Sequence, residues 1–360
     1  MKKIILSSII LTLATQFSFA AVPDSIKAMV ADFDSIVQVA EKDYAAFKFK
    51  VTDINRKEYK AFKKSLINDI KKQKRTWQDA VCAYVGWFGD FHFGVYGNNE
   101  IAANYFKYTR KRINYHELME IYDPKMLSCK INEDTWLIRF PSCNGTQELE
   151  NFVREYKASG CPNLIIDIRG NMGGQDESFE PLLKLLYDYP DGKRDGTIFR
   201  YTKANIERAG WTLEDLEDLG YATDIEHAPE YVVKIADGAH MTFDAISEYP
   251  KKAALIIDNM VASSGEQSVL NTRLVSHRTT IYGRDNTMGC IDTGNCQIFE
   301  SARKPLVVQY STTYSTRYEK GTTVDLTGIA PDVRITLPYP KRLTDNIDEW
   351  VLWVAEDLKN

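Results

Sequence analysis

Leu164-Ile165-Ile166-Asp167-Ile168-Arg169-Gly170-Asn171-Met172-Gly173-Gly174 is the stretch of sequence that decides the fold. Its apolar start predicts a strand buried on both faces, and the glycines after it predict a tight turn. A helix should follow, because apolar residues then recur at helical spacing. A strand, a glycine turn and a helix start in succession leave backbone N–H groups free to bind a phosphate or to stabilise an oxyanion. The apolar stripe of the helix consists of Phe179, Leu182, Leu183, Leu186 and Tyr187.

The spacing of the glycines excludes the phosphate. Gly170, Gly173 and Gly174 match neither G-x-x-x-x-G-K-[ST] nor G-x-G-x-x-G, the two phosphate-binding patterns. An oxyanion site and a purely structural turn therefore remain as alternatives for this segment.

A second apolar strand, at residues 253–258, leads into a cluster of small residues at 259–267. A serine at such a strand-to-helix junction presents its hydroxyl at a helix N-terminus, which suits a nucleophile. The alternative is that Ser263 or Ser264 caps the helix, with Glu266 or Gln267 completing a capping box.

Four segments, taken in order, resemble the signature of the C-terminal processing (tail-specific) peptidases and the tricorn core protease. They are D-I-R-G-N-M-G-G at 167–174, S-S-G-E at 263–266, G-R-D-N-T-M-G at 283–289 and G-I-A-P-D at 328–332. The resemblance implies an α/β fold with a crotonase-like (ClpP/crotonase) core behind a helical N-terminal region. It also implies a serine-type peptidase that acts on peptide or protein substrates with no metal and no organic cofactor.

The resemblance implies a histidine as the catalytic base. Tail-specific peptidases carry a lysine base in T-x-G-K, and Cys290 stands at that position here. The segment G-D-F-H, ending at His92, resembles the G-D-x-H of the tricorn-like branch. We therefore expect His92 to serve Ser263, because a histidine suits a base that must later act as an acid.

The same resemblance suggests the supporting groups. Asp325 matches the position of a glutamate in the tricorn charge network, and Asp90 is a rival for orienting His92. Tricorn has a relaying serine directly before its histidine, and Phe91 replaces it, so a contact between His92 and Asp325 must be direct or bridged. The amides of Gly173 and Ser264 are the expected oxyanion hole, with Gly174 as the alternate.

The first twenty residues predict export. Lys2 and Lys3 precede a short apolar stretch, and Ser18-Phe19-Ala20 offers small residues for cleavage before Ala21. We expect a signal peptide at 1–20, no stable membrane span, and a protein of the periplasm, cell envelope or extracellular space. A net charge of −5 argues against a nucleic-acid partner.

An oxidising compartment permits disulfides among the six cysteines. Spacing suggests two pairs, Cys290 with Cys296 and Cys129 with Cys143, and leaves Cys82 and Cys161 over. A nucleophilic Cys290 is a weaker alternative to its disulfide. No C-x-x-C or paired-histidine spacing occurs, so we expect no zinc site.

We predict a helical N-terminal region at 21–97, a peptidase α/β core at 98–343 and a C-terminal helix at 344–360. Residues 188–250 should form loops or a lid over the cleft. The room between His92 and Leu164 is too short for a peptide-binding PDZ domain with its connections, so the cleft itself should select substrates.

Two other functions compete with the peptidase. A non-catalytic binding protein on the same fold, for a peptide, lipid or envelope polymer, would share the strand and the glycine turn. A scaffold whose acidic, tyrosine-rich surface binds cell-envelope polymer is a weaker possibility. Only the combination of nucleophile and base separates the enzyme from the binding protein.

Overall fold

The computed structural model describes residues 25–109, 113, 115–302 and 306–359. The predicted signal peptide lies outside these residues. No helix within the described ranges combines the length and the apolar character that crossing a membrane requires.

The helices and strands alternate through most of the described chain. The helices are α1 (Ile26–Lys42), α2 (Phe47–Lys50), α3 (Arg56–Lys71), α4 (Trp77–Trp87), α5 (Asn99–Phe106), α6 (Tyr115–Leu118), α7 (Gln147–Ser159), α8 (Glu180–Leu186), α9 (Lys203–Ala209), α10 (Leu213–Asp218), α11 (Ser264–Val275), α12 (Arg317–Lys320) and α13 (Glu349–Asp357). A 3₁₀ helix, Asp176–Phe179, directly precedes α8. The strands are β1 (Gly94–Tyr96), β2 (Ile121–Tyr122), β3 (Leu127–Lys130), β4 (Thr135–Arg139), β5 (Asn163–Asp167), β6 (Thr197–Arg200), β7 (Tyr231–Ile235), β8 (Lys252–Ile257), β9 (Thr279–Gly283), β10 (Thr293–Glu300), β11 (Val307–Ser315), β12 (Val333–Arg334) and β13 (Arg342–Leu343).

The N-terminal region is helical, as predicted. Helices α1, α3 and α4 enclose a core that also takes in Val308 and Tyr310 of β11. Helix α3 buries Tyr59, Leu66 and Ile70 on one stripe, and its lysines cover the remaining faces. The side chains of Ser25 and Thr76 accept hydrogen bonds from the first turns of α1 and α4, so both helices begin at capping residues.

A six-stranded sheet in the order β12-β9-β8-β5-β4-β3 carries the glycine turn. Its neighbours pair in parallel except for β3, which pairs antiparallel with β4. All five residues of β5 are buried. Leu164 and Ile166 face the core beneath α7, α8 and α11, while Ile165 faces the core beneath α13. The predicted strand buried on both faces is therefore confirmed.

The second sheet is antiparallel and contains segments that we expected to be loops. Its order is β1-β11-β6-β7, with β10 paired along β11. Residues 188–250 supply β6, α9, α10 and β7 to this part of the molecule. Phe199, Tyr201, Ile206 and Leu216 form a small core there. The prediction of loops was wrong, because short strands and helices lie between the turns and bury their own apolar side chains. The alternative of a lid over the cleft stays a prediction.

The C-terminal helix is shorter than predicted. It begins at Glu349 because the side chain of Asp348 accepts a hydrogen bond from the Trp350 amide and caps the helix. Trp350, Val351 and Val354 are buried against the sheet, but Ile347 precedes the helix and is 40% exposed.

A buried ion network explains the D-x-R part of the glycine-turn sequence. Asp167 accepts hydrogen bonds from Arg139 Nε and Arg169 Nη2, both at 2.7 Å, and both arginines also reach Asp348. Burial alone would raise the pKa of Asp167, but the two guanidinium groups outweigh it and hold that pKa well below its usual value. Asp167 and Arg169 thus join β5 to the start of α13.

The predicted disulfides are not formed, and all six cysteines are free. Cys129 and Cys143 lie in the cores on opposite faces of the sheet, so their thiols cannot meet. The Cys290 thiol points to Glu266 Oε2 at 3.3 Å, and the Cys296 thiol points to the His92 carbonyl at 3.8 Å. The spacing of the cysteines in the sequence could not show that their thiols point in different directions.

Candidate active site

The two loops that carry the predicted residues meet at one edge of the sheet. Strands β5 and β8 are parallel neighbours, so the glycine turn after β5 and the serine segment after β8 emerge side by side. The Ala262 amide donates to the Asn171 carbonyl at 2.9 Å, which joins the two loops directly. A Cβ at Gly173 would lie 2.8 Å from Ser263 Cβ, so only glycine permits this approach.

Ser263 has an unusual backbone. Its φ of 52° and ψ of −123° lie in a region that non-glycine residues rarely adopt, and it directly precedes the 12-residue helix α11. Its side chain makes no capping hydrogen bond. The Ser264 hydroxyl donates to the Gly174 carbonyl at 2.9 Å instead of capping the helix. A serine in a strained strand-to-helix turn is typical of an exposed nucleophile rather than of an N-cap.

His92 lies within hydrogen-bonding distance of this serine. Its Nε2 is 3.1 Å from Ser263 Oγ, although the two residues are 171 positions apart in the chain. His92 follows α4 and precedes β1, and its backbone amide donates to Asp90 Oδ1 at 2.8 Å. The helical N-terminal region therefore supplies the histidine, and the parallel sheet supplies the serine.

The other nitrogen of His92 faces a hydroxyl. Thr293 Oγ1 is 3.4 Å from His92 Nδ1 and donates to Asp90 Oδ1 at 3.0 Å. Asp90 is 2% exposed, and Tyr44 donates to its Oδ2 at 2.6 Å. Because the Thr293 hydroxyl gives its proton to Asp90, it faces the imidazole as an acceptor. This arrangement favours a proton on Nδ1 and a free lone pair on Nε2 toward Ser263.

Asp325 lies elsewhere in the same polar region. Its carboxylate forms an ion pair with Lys50 and accepts a hydrogen bond from Tyr318 at 2.6 Å. Burial raises the pKa of Asp325, and the negative charge of Asp90 raises it further, while Lys50 and Tyr318 oppose the shift. Within the described residues, the hydrogen bonds of the Asp325 carboxylate go to Lys50 and Tyr318 and not to His92. The carboxylate that reaches His92 is the rival, Asp90.

The predicted oxyanion donors differ in their availability. The Gly173 amide donates to Asn171 Oδ1 at 2.9 Å. The amides of Ser264 and Gly174 have no acceptor among the described residues. Ser264 N also belongs to the first turn of α11, where the helix dipole favours negative charge. The amides of Gly173 and Gly174 lie in the glycine turn that adjoins Ser263.

Glu266 is fully buried and ties α11 to the segment after β9. It accepts hydrogen bonds from Thr287 Oγ1 at 2.6 Å, from the Gly289 amide at 2.8 Å and from the Cys290 amide at 2.9 Å. This contact joins the segment around Ser263 to the segment around Gly289. Glu266 and Gln267 both bond elsewhere and Ser263 makes no capping hydrogen bond, so the capping-box alternative is excluded. Burial, and then the charge of Glu266, raise the pKa of the Cys290 thiol well above its usual value, which disfavours Cys290 as a nucleophile.

Comparison with known proteins identifies the family and similar folds. The model of peptidase family S41 matches residues 134–335, more than half of the chain. The fold is similar to that of mature CPAF complexed with lactacystin, at 13% identity and a TM-score of 0.54 over 86% of this chain and 94% of that one. It is also similar to a provisionally assigned peptidase from Parabacteroides merdae, at 14% identity and a TM-score of 0.52 over 87% and 90% of the two chains. No curated protein is detectably similar in sequence. The chain therefore belongs to peptidase family S41 and is a serine-type peptidase.

Proposed function

We propose that the protein is an exported endopeptidase in which Ser263 is the nucleophile and His92 is the general base. The observation that carries the proposal is the 3.1 Å distance between His92 Nε2 and Ser263 Oγ. A nucleophile and a base in hydrogen-bonding contact, with the base oriented by a third group, are the arrangement that acyl transfer requires. The strained backbone of Ser263 adds support, because such strain needs a functional reason to persist.

In the proposed reaction, Ser263 Oγ attacks the carbonyl carbon of the scissile bond while its proton passes to His92 Nε2. The protonated imidazole then gives this proton to the leaving amine, and an acyl-enzyme remains. Water attacks the ester carbon by the same route, releases the acid and restores the serine. In each step His92 passes on the proton that it accepts, so the reaction needs no cofactor.

Asp90 is the proposed orienting carboxylate, acting through the hydroxyl of Thr293. The distances from Asp90 Oδ1 to Thr293 Oγ1 and from Thr293 Oγ1 to His92 Nδ1 support this path. Asp325 is proposed to act without contacting His92. Its charge and that of Lys50 change the electrostatic potential around Asp90. The sequence-based role of Asp325 is thereby modified.

The oxyanion hole is proposed to consist of the Ser264 amide together with an amide of the glycine turn. Gly174 has a free N–H, whereas Gly173 must share its N–H with Asn171. Loss of one such donor typically costs on the order of 3 kcal/mol of transition-state stabilisation. The crotonase-like character of the core, the segment boundaries at residues 97 and 343 and the signal peptide at 1–20 also belong to this proposal.

Hydrolysis of casein and of a peptide library by five variants tests the mechanism. Ser263→Ala and His92→Ala should each remove nearly all turnover, and the double variant should be little worse, because nucleophile and base act as one unit. Asp90→Asn should cost more than Asp325→Asn, since only Asp90 reaches the imidazole through one hydroxyl. Ser65→Ala on α3 and His227→Ala, both exposed, are the matched controls.

Undiminished cleavage by His92→Ala would overturn the mechanism and leave the family assignment intact. A folded wild-type protein that cleaves no peptide would favour the non-catalytic binding protein. A larger loss in Asp325→Asn than in Asp90→Asn would restore the original role of Asp325.

A further inference from the structure

A cavity of about 370 Å³ opens beside the proposed catalytic pair. Phe91, which directly precedes His92, forms one wall and packs against Ala262 and Met288. The Met288 amide donates to the Val261 carbonyl at 2.8 Å, only two residues before Ser263. The cavity therefore adjoins both members of the pair, and its volume lies in the range of ligand sites.

Asp285 lines the cavity and is half-buried. Oδ2 of Asp285 is buried and has no hydrogen-bond partner among the described residues. Burial raises the pKa of Asp285, and the charges of Arg284 and Arg334 only partly oppose this effect. A carboxylate with one oxygen enclosed and unpaired is only partly compensated, so a cationic group in the adjoining cavity would be favoured.

The two nearby arginines are directed to other acceptors. Arg284 Nη1 donates to the Leu337 carbonyl at 2.7 Å. Arg334 donates to the Arg284 carbonyl at 2.9 Å and to Asn286 Oδ1 at 2.5 Å. Neither arginine donates a hydrogen bond to Asp285, although Arg334 lines the same cavity. Because Oδ2 of Asp285 is enclosed, a cation in the cavity would act on the charge of the whole carboxylate rather than by contact with that oxygen.

The remaining walls of the cavity are partly apolar and partly polar, which suits an amphipathic side chain. Phe91, Met288 and Leu326 supply apolar surface, and Asn259 and Thr327 supply polar atoms. The side chains of lysine and arginine combine a long apolar stem with a charged head, so stem and head would each find a matching wall.

We propose that this cavity is a specificity pocket that receives a cationic group of the substrate next to the scissile bond, with Asp285 as the residue that selects it. The proposal rests on the peptidase function given above. Two sources share the required chemistry, namely a lysine or arginine side chain and the free α-amine of a peptide.

The test uses quenched fluorescent peptides that are acetylated at the N-terminus and differ at one residue beside the cleaved bond. This residue is arginine, lysine, norleucine or glutamate, and mass spectrometry maps the cut. Norleucine keeps the lysine stem and removes the charge. Wild-type kcat/KM should be at least tenfold higher for arginine or lysine than for norleucine, and lowest for glutamate.

Asp285→Asn should bring the basic peptides to within threefold of the norleucine peptide, whose own kcat/KM should change less than twofold. Asp218→Asn, an exposed carboxylate on α10, is the matched control and should keep the wild-type preference. If Asp285→Asn fails to fold, inhibition of the wild type by 4-aminobenzamidine but not by neutral benzamide provides the same evidence.

Failure of the specificity pocket and failure of the proposed peptidase function give different results. Equal cleavage of the norleucine and arginine peptides would overturn the specificity pocket while leaving the peptidase in place. The same four peptides without the acetyl group form a second set, and cleavage of that set alone would assign the cavity to the α-amine rather than to a side chain. Absence of both hydrolysis and fluorophosphonate labelling of Ser263 would overturn the proposed function and the pocket together.

Discussion

Replacing Thr293 by valine removes one hydroxyl from the site and almost nothing else. The residue begins β10 and is 3% exposed, and valine has a similar shape and suits a strand. In the wild type the hydroxyl donates to Asp90 at 3.0 Å and faces His92 Nδ1 at 3.4 Å. In the variant, the imidazole N–H loses its acceptor, and Asp90 loses one of its donors.

The size of the effect follows from these two contacts. Leaving one buried polar group unsatisfied costs about 1–3 kcal/mol. If the cost falls on the transition state, where the imidazole is charged, kcat/KM should fall by about 5- to 150-fold. Thr293→Ser keeps the hydroxyl and should stay within a few fold of the wild type, although it creates a small cavity.

The assay is kcat/KM on one peptide for both variants, with thermal unfolding as a check on folding. A second readout separates orientation from structure. Thr293→Val should slow hydrolysis in a His92 background and have no effect on the residual rate of His92→Ala. Wild-type kcat/KM in a folded Thr293→Val variant would refute the orienting role of Thr293 and Asp90.

Four further predictions concern the scaffold and Cys290. Asp348→Asn should lower the free energy of unfolding by about 3–5 kcal/mol in urea denaturation, because it leaves two buried arginines undercompensated. The arginines lower the pKa of Asp167, so the ionised carboxylate stabilises the folded protein at pH values above about 4. This contribution to the free energy of unfolding should be lost as the pH falls below that value. A free energy of unfolding that stays constant on acidification would contradict this. Burial raises the pKa of Asp258 to about 6, so the folded state holds this proton more tightly than the unfolded state. The free energy of unfolding should therefore decline as the pH rises from about 4 to 6 and then level off. Asp258→Asn should remove that decline in melting curves, and an unchanged slope would count against it. Cys290→Ser should retain peptide hydrolysis and fluorophosphonate labelling at Ser263. Loss of both in a folded variant would support Cys290 as the nucleophile.

Local sequence patterns predicted the parts of the fold that rest on continuous apolar runs. The strand at Asn163–Asp167 and the helix after Ser263 followed from burial on both faces and from small residues at a junction. Residues 188–250 were misjudged because their strands are short and separated by turn residues. The stability of that region depends on contacts such as Phe199 with Trp211, whose ring centroids are 5.0 Å apart.

The site was predictable only where a residue type carries its own chemistry. His92 and Ser263 have such chemistry, and their context in the sequence singled them out. Thr293 and Tyr44 have no such signal, and they lie 203 and 46 positions from the carboxylate that they contact. Asp325 was assigned by position in a family pattern. Lys50, also far away in sequence, is the partner that binds its carboxylate.

The central claim is that His92 activates Ser263, and covalent labelling measures it most directly. The wild type, His92→Ala, Ser263→Ala and the control His227→Ala would be incubated with a fluorophosphonate, and peptide mapping would locate the adduct over time. The account predicts one adduct, on Ser263, that forms at the same rate in the wild type and His227→Ala. It should form at least a hundredfold more slowly in His92→Ala and be absent in Ser263→Ala. An adduct on another residue, or equal labelling rates in the wild type and His92→Ala, would contradict the account.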